Sequence, residues 1–292
     1  MQQTGIGWTD FSVNFLKYLT ADGKTVWACV HASEGCRFCY SEAIAKRWGK
    51  GEAFTAENMK SLTPYFDTKE AAQVLKSKKL SGKKVFVDDM TDLFGEWVSD
   101  EIIDQHFAVF AMRPDVTFQI LTKRAERMRL YLNRDIEDRL DDICHGLPGA
   151  LDETWHYPAE WPLRNVHVGV SAEDQPNADK RIRFLLETKA VVRWASVEPL
   201  ISPVNLNAYL GTKFMDSGCW SECEQLNGIV IGGESGTGHR EMPLVSALNL
   251  ARDAHRSGVA VYFKQDSGPR PGMQGRVPDD VWAMKQWPMG DR

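Results

Sequence analysis

Three of the chain's six cysteines lie in one short stretch, CVHASEGCRFCY, which runs from Cys29 to Tyr40. Their spacing is Cys29-x6-Cys36-x2-Cys39. Two intervening residues allow the Cys36 and Cys39 thiolates to chelate one metal centre, and Cys29 can supply a third thiolate. The residues that follow have the pattern of a helix. Cys39 is therefore predicted to lie at a helix N-terminus, where the thiol pKa falls and the thiolate is favoured.

The residues around this triplet leave three interpretations open. A structural zinc would need a fourth ligand, and the local candidate is His31, although one intervening residue between it and Cys29 makes a tight chelate. A 4Fe–4S cluster held by three thiolates would keep one iron open for a substrate or cosubstrate, whereas ordinary clusters take four ligands. In the third interpretation the cysteines are unrelated and buried.

Composition narrows the class of protein. The chain has 292 residues, a net charge of −5, 43% hydrophobic and 26% charged residues, all ordinary values for a globular enzyme. No apolar run approaches the roughly 18 residues of a membrane span, and the N-terminus lacks the pattern of a secretory signal. We therefore expect a cytoplasmic protein without membrane contact. In that reducing compartment clustered cysteines more often bind metal than form disulfides.

Short apolar runs alternate with helical patterns along the whole chain. Buried strands are predicted at 83–89, 116–122, 165–171, 191–198, 227–233 and 259–265, and helices at 99–112, 124–143, 177–188 and 245–258. Such alternation predicts βαβ units and a parallel sheet. With a further strand near the N-terminus, we expect an α/β fold, a single-domain full or partial (β/α) TIM-like barrel over residues 1–292. A doubly wound open sheet is the alternative, and segments 145–162 and 214–225 have the composition of loop insertions.

Each predicted strand ends in a polar cluster. In a (β/α) barrel these C-terminal strand ends form one face, where active sites lie. Helix N-caps and solvated loops are the alternative explanation, and we favour it for Asp174 and Asp266. The clusters include Asp88, Asp89, Thr91 and Asp92, then Thr122, Lys123 and Arg124, then Ser171, Glu173 and Asp174, then Glu198, then Glu234 and Ser235, and last Lys264, Gln265 and Asp266.

The ending CRFC at 36–39 resembles the cluster loop of radical S-adenosylmethionine (SAM) enzymes. In that superfamily three cysteines follow the first barrel strand, and an aromatic residue precedes the last one. The gap between the first two cysteines is usually three residues there and is six here.

A closer resemblance covers nearly the whole chain. The chain resembles a phage- and prophage-associated family of three-cysteine, radical-SAM-like proteins, mostly of unknown function, which shares the six-residue gap. The region between Trp8 and Cys29 is longer here than is usual in that family. The matching stretches are TGIGWTD (4–10), SEGCRFCY (33–40), VFVDDMTDLF (85–94), FQILTKRAER (118–127), NVHVGVSAEDQ (165–175), VEPLISPV (197–204), IVIGGESGTGHR (229–240) and FKQDSG (263–268).

The resemblance implies a 4Fe–4S cluster, SAM as cosubstrate, and an electron donor such as flavodoxin or ferredoxin. An electron from the reduced cluster would cleave SAM, and the 5′-deoxyadenosyl radical would take a hydrogen atom from a substrate. Cys29, Cys36 and Cys39 would be the cluster ligands. The implied SAM contacts are Phe38 at the adenine, Asp89 and Asp92 at the amino group, Lys123 at the carboxylate, and Ser171 and Glu173 at the ribose. Glu198, Glu234 and Lys264 would be the catalytic residues on the substrate side.

The stretch GGESGTGH at 232–239 follows a predicted strand. A Gly-rich turn there could cradle a phosphate with backbone N–H groups. It matches neither the P-loop nor the dinucleotide-binding motif. A tight turn at Gly232 and Gly233 that brings backbone close to SAM or substrate is the alternative.

Two further features bear on partners. The run KSKKLSGKK at 76–84 holds five lysines and could contact nucleic-acid phosphates. Cys144, Cys219 and Cys223 could hold a second metal, although incidental thiols are the simpler explanation. The sequence thus supports two hypotheses. The first is a radical SAM enzyme acting on a DNA base or a modified nucleotide of phage origin. The second is a non-enzymatic zinc- or cluster-containing barrel that binds nucleic acid or protein.

Overall fold

The computed structural model describes residues 1–147, 160–211 and 225–288. The chain divides into two compact units. The first comprises Met1–His167 with Thr188–Val191, and the second comprises Val168–Glu187 with Val192–Arg292. The single domain expected over residues 1–292 stays a prediction. Of the two predicted insertions, 145–162 and 214–225, residues 148–159 and 214–224 lie outside the described residues.

The first unit contains seven strands wholly within its described residues. In its main sheet the order is β1-β2-β6-β7, with β2, β6 and β7 parallel and β1 antiparallel to β2. The register places Val85 opposite both Phe11 and Phe118. The strands are β1 (Gln2–Gln3), β2 (Phe11–Val13), β3 (Leu16–Leu19), β4 (Thr25–Val26), β5 (Thr63–Phe66), β6 (Lys84–Val87) and β7 (Thr117–Thr122).

Strands on both sides of the cysteine stretch form a small antiparallel sheet with the order β4-β3-β5. β3 and β4 precede the stretch, and β5 follows it. The sequence did not predict it, because its strands are only two to four residues long and β3 alternates between buried and half-buried positions. Short strands of this kind carry little hydrophobic pattern.

Helices connect these strands. The long helix predicted over 124–143 is wrong, because the chain forms two helices there. Asn133 ends the first by donating its amide to the Arg129 carbonyl at 3.1 Å, and its side chain accepts the Lys189 amide at 2.7 Å. The helices are α1 (Tyr40–Arg47), α2 (Ala56–Met59), α3 (Thr68–Lys76), α4 (Asp100–Ala111), α5 (Ala125–Leu132) and α6 (Glu137–Gly146).

The second unit repeats strand and helix. Its strand order is β8-β9-β10-β11, with β10 parallel to both β9 and β11. Asp174 caps α7 by accepting the Asn177 amide at 2.9 Å, and Gly258 follows α8 at a φ of 77°, so both predicted caps are confirmed. The elements are β8 (Val166–Ser171), which begins in the first unit, α7 (Gln175–Leu186), β9 (Val192–Val197), β10 (Gly228–Gly232), α8 (Leu244–Arg256), β11 (Ala260–Gln265) and α9 (Asp279–Trp282).

The six strands predicted from apolar runs are therefore confirmed, and the fold is mixed α/β with mostly parallel strands. Residues of β8 and β10 are buried throughout, as expected of parallel strands covered on both faces. Closure of the strands into a full or partial barrel stays a prediction. Across the described segments, none of the helices combines the length and apolar character needed to cross a bilayer.

Candidate functional site

The cysteine loop, residues 29–39, begins three residues after β4 and ends at the first turn of α1. A short 3-10 turn over Glu34–Cys36 folds it back, with the Cys36 amide donating to the Ser33 carbonyl at 2.9 Å. The Cys39 amide donates to the Cys36 carbonyl at 3.1 Å. Cys39 is the N-cap residue of α1, as predicted.

Two of the three thiols share one apolar pocket. Cys29 and Cys39 both pack against Ala45, Phe54 and Met90. All three loop cysteines are free thiols and half-buried. The loop therefore shields its three sulfur atoms partly from water, and they form no disulfide with one another.

Burial raises the pKa of two of the thiols, Cys29 and Cys39. It raises the pKa of Cys29, where the Asp92 carboxylate adds to the effect and the Arg124 cation opposes it. Burial also raises the pKa of Cys39, although backbone amides in the first turn of α1 act the other way. The prediction that the helix N-terminus lowers this pKa is therefore wrong in its net direction, because desolvation of the thiolate outweighs the amide hydrogen bonds.

The donor set of the loop fits an iron–sulfur cluster in its chemistry. Thiolates are the usual ligands of such clusters, and three reduced cysteines lie in one segment. Within the part of the chain that the structure describes, no three His, Cys, Asp or Glu side chains lie close enough to hold a metal ion. A cluster held by all three cysteines would require their sulfurs to lie closer together than in this structure.

His31, the local candidate for a fourth zinc ligand, contacts a carboxylate of α1. Its Nε2 atom lies 3.0 Å from Glu42 Oε2. Glu42 also accepts the Phe54 amide at 3.0 Å and pairs with Lys46 at 2.8 Å. As the fourth ligand of a zinc ion, His31 would keep this contact only by binding the metal through Nδ1.

The peptide groups on both sides of Cys29 are held by side chains. Thr91 Oγ1, in the loop after β6, donates to the Ala28 carbonyl at 2.6 Å. Arg124 Nη2, in the loop after β7, donates to the Val30 carbonyl at 2.8 Å. The strand-end loops thus fix the backbone at the first cysteine.

A directional chain of hydrogen bonds stands behind Thr91. Trp97 Nε1 donates to the Tyr18 hydroxyl at 2.8 Å, and this hydroxyl lies 3.0 Å from Thr91 Oγ1. The hydrogen of Thr91 is committed to the Ala28 carbonyl, so Tyr18 must donate to Thr91. Tyr18 is fully buried, and burial raises its pKa.

Asp89 lies beside the end of the cysteine loop. Its backbone carbonyl accepts from the Tyr40 hydroxyl at 2.8 Å and from Ser41 Oγ at 2.7 Å. Its carboxyl group accepts from Asn14 Nδ2 at 2.6 Å. Burial raises the pKa of this carboxyl to about 6, and the neighbouring Asp88 charge adds to the effect.

Asp92 also lies near the loop, but its carboxylate is fully used by the chain. Oδ1 accepts from Thr122 Oγ1 at 2.6 Å and from the Phe94 amide at 3.1 Å. Oδ2 accepts from the Lys123 amide and from Arg124 Nη1, both at 3.1 Å. A carboxylate offers about four acceptor positions, so binding the SAM amino group would require Asp92 to release a donor. Its contact with SAM stays a prediction.

Phe38 is presented to solvent. Its side chain is 45% exposed, and the Arg37 guanidinium lies 5.5 Å from its ring centroid. The adenine contact that the resemblance implies for this exposed ring stays a prediction.

In the second unit, Lys264 donates to Glu198 Oε1. Their side chains are 22% and 17% exposed, so solvent still reaches this pair. Gly232 lies beside Glu198, since a Cβ there would be 3.3 Å from the Glu198 carboxyl carbon. A Cβ at Gly233 would be 2.4 Å from the Ser267 amide nitrogen, so close backbone approach explains this glycine.

The other carboxylates predicted for this unit face arginines. Glu173 Oε2 accepts from Arg181 Nη1 at 2.8 Å in the interior, and the Ser171 carbonyl accepts from the same atom at 3.0 Å. Glu234 accepts the Arg240 amide at 2.8 Å and its Nε at 3.1 Å. Burial acts to raise the pKa of Glu234, but the Arg240 hydrogen bonds outweigh it and hold the pKa below its usual value.

The sequence did not predict the side chains that hold the cysteine loop in the first unit or those that pair with the carboxylates of the second unit. Arg124 was recognised only as part of a polar strand end, and its position directly after Lys123 was the one available signal. Nothing in the local sequence marked Tyr18, whose partners Thr91 and Trp97 are distant in the chain. Arg181 and Arg240 lie eight and six residues after Glu173 and Glu234, and the spacing alone does not show that the chain folds back to join them.

Of the three cysteines outside the loop, the structure describes Cys144. The Cys144 thiol is buried, donates to the Ala108 carbonyl at 3.6 Å, and has its pKa raised to about 12 by burial. Cys219 and Cys223 lie outside the described residues. A second metal site built from these three cysteines stays a prediction.

Comparison with known proteins gives one positive result. No curated protein and no solved structure matches the chain. A family model described as "Protein of unknown function (DUF5131)" matches residues 3–278. Because that match covers nearly the whole sequence, the chain belongs to the DUF5131 family.

Proposed function

We propose that this protein is a radical SAM enzyme whose 4Fe–4S cluster is held by Cys29, Cys36 and Cys39. The observation that carries the proposal is one loop with three free thiols, two of them in a shared pocket, whose backbone is held on both sides of Cys29. When bound and reduced, such a cluster supplies the electron that cleaves SAM into methionine and a radical able to take hydrogen from a substrate.

The residues of the first unit would bind and orient SAM. The exposed Phe38 ring offers a face to the adenine. Asp89, beside the N-terminal turn of α1, offers a carboxyl to the amino group, and its raised pKa means that it changes charge near pH 6. Asp92 and Arg124 would keep the loop in place during binding. A low-potential donor of the flavodoxin or ferredoxin class would supply the electron.

In the second unit, the Glu198–Lys264 pair is the proposed substrate-side group. A carboxylate–ammonium pair can hold or move one proton between its members, and this half-buried pair is still reached by solvent. The proposed function also implies that the parallel strands complete a full or partial (β/α) barrel, and that the protein works in the cytoplasm.

The proposed substrate is a DNA base or a modified nucleotide. The lysines of the 76–84 run support a phosphate contact, since Lys76, Lys78, Lys79 and Lys83 are exposed. They precede β6, whereas Asp89 follows it, so the run lies at the end of this strand away from the cysteine loop. Such a contact would position a polymer rather than touch the reacting base.

The first experiment is anaerobic reconstitution with iron and sulfide, reduction, addition of SAM, and quantification of 5′-deoxyadenosine. We expect about four irons per chain and product formation, both lost in Cys36→Ala. Cys144→Ser is the matched control, because this buried thiol lies outside the loop, and it should keep both. A chain that binds about one zinc and no iron would overturn the proposal in favour of the non-enzymatic binding protein.

The substrate is tested separately with DNA, free nucleosides and peptides in the reduced assay. Turnover of DNA or nucleosides supports the proposed class. Turnover of peptide alone would exclude it while leaving the radical chemistry intact.

A further inference from the structure

Arg124 is the cation that joins the loop after β7 to the cysteine loop. Its side chain is only 8% exposed. Nη2 donates to the Val30 carbonyl at 2.8 Å, one residue beyond Cys29. Its charge also acts on the Cys29 thiol, where it opposes the effects of burial and of Asp92.

The guanidinium is fixed by three further groups. Nη1 pairs with Asp92 Oδ2 at 3.1 Å, and Nε pairs with Glu96 Oε2 at 2.8 Å. The plane lies 4.7 Å from the Trp97 ring centroid. Planar, multiply hydrogen-bonded placement of this kind is available to arginine and not to lysine.

The loop after β6 places a negative charge, that of Asp92, near Cys29. Asp92 is as buried as Arg124 and holds four donors of the chain. An unbalanced carboxylate beside a cluster would disfavour the reduced, more negative state. Arg124 offsets that charge and therefore favours reduction.

We propose that Arg124 is a positioning and tuning residue for the iron–sulfur cluster, which it serves by holding the Val30 carbonyl and by balancing the Asp92 charge beside Cys29. This inference rests on the proposed function for its electrostatic half. Its positional half concerns the loop itself and is measurable in the protein as purified.

Three variants separate charge from geometry. Arg124→Gln removes both the positive charge and the planar, forked set of guanidinium N–H donors. Arg124→Lys keeps the positive charge and loses the forked donors. Arg127→Gln is the matched control, because Arg127 lies one turn further along on α5 and pairs with Asp100 and the Val98 carbonyl instead.

The first measurement is hydrogen–deuterium exchange of peptides covering residues 27–32 in the purified protein. Loss of one hydrogen bond predicts exchange about fivefold faster in Arg124→Gln, with wild-type exchange in Arg127→Gln. Wild-type exchange in Arg124→Gln would overturn the positional role.

The second measurement is the midpoint potential of the reconstituted cluster, followed by electron paramagnetic resonance without SAM. We expect a lower potential in Arg124→Gln, recovery toward the wild-type value in Arg124→Lys, and no shift in Arg127→Gln. Equal potentials in all four proteins would overturn the tuning role. A wild-type protein that takes up no cluster would overturn the proposed function and the tuning role with it, whereas the exchange result would still decide the positional role.

Discussion

At the strand ends of the second unit carboxylates face cations, whereas in the cysteine loop of the first unit thiols face apolar side chains. Cys29 and Cys39 lie in a pocket of Ala45, Phe54 and Met90. The second unit instead pairs Glu173 with Arg181, Glu198 with Lys264, Glu234 with Arg240, and Asp266 with Arg276.

This difference separates groups that hold the fold from groups that are available for chemistry. A buried carboxylate whose partner is an arginine of the same unit is already neutralised, and a ligand would have to displace that partner. A neutral thiol in an apolar pocket has no ionic partner to displace, and it must lose only its proton to bind a metal. Among the four pairs, Glu198–Lys264 is the one whose cation is a lysine and not an arginine. Both of its side chains remain partly accessible to solvent.

The largest effect is expected from Arg181→Met. It leaves Glu173 as an unpaired charge in the interior, where both side chains are at most 5% exposed. Breaking a buried pair in this way costs about 3–5 kcal/mol of unfolding free energy. Urea denaturation followed by circular dichroism measures it. A loss below about 1 kcal/mol would mean that Glu173 is free to serve SAM.

A smaller loss is expected from Gly233→Ala. The added Cβ would meet the Ser267 backbone at 2.4 Å, and backbone must shift to admit it. Such overpacking costs about 1–3 kcal/mol. Gly232→Ala is the matched control, since the three atoms nearest its Cβ would be side-chain atoms, of Glu198 at 3.3 and 3.4 Å and of Gln265 at 3.5 Å. Equal losses in the two variants would contradict the backbone explanation.

In the first unit, Asp89→Asn tests whether a site carboxyl is kept at a cost in stability. Because its pKa is raised to about 6 in the folded state, the stability it contributes is present below about pH 4 and is lost as the pH rises through 6. The variant should therefore be more stable than wild type at pH 7 by about 1–2 kcal/mol. Urea midpoints from pH 4 to 7.5 measure the difference, and a gap that does not change with pH would contradict the assignment.

The smallest effect is expected from Arg183→Met, which lies two residues from Arg181 on α7. Its pair with Glu187 is 3.2 Å long and exposed to solvent. Exposed pairs of this kind contribute about 0.3–0.5 kcal/mol. A loss comparable with that of Arg181→Met would show that the helix itself, and not the buried pair, carries the effect.

Strand and helix positions were readable because burial imposes a pattern on consecutive residues. The runs that became β6 to β11 are apolar on both faces, and Asp174 and Gly258 marked helix ends through local backbone chemistry. The break at Asn133 was missed, because the apolar period continues across it while its side chain bonds to Lys189, which is distant in sequence.

The sequence by itself determined the parallel α/β elements, the position of Cys39 at a helix start, and the grouping of three thiols with polar strand ends. Those properties depend on neighbours in the chain. Only the tertiary structure decided that burial raises the Cys39 pKa, that Asp92 is saturated by four donors, and that Glu173 faces Arg181. Solvent exclusion and the way in which the chain folds back on itself set those properties, and neither can be read from local spacing.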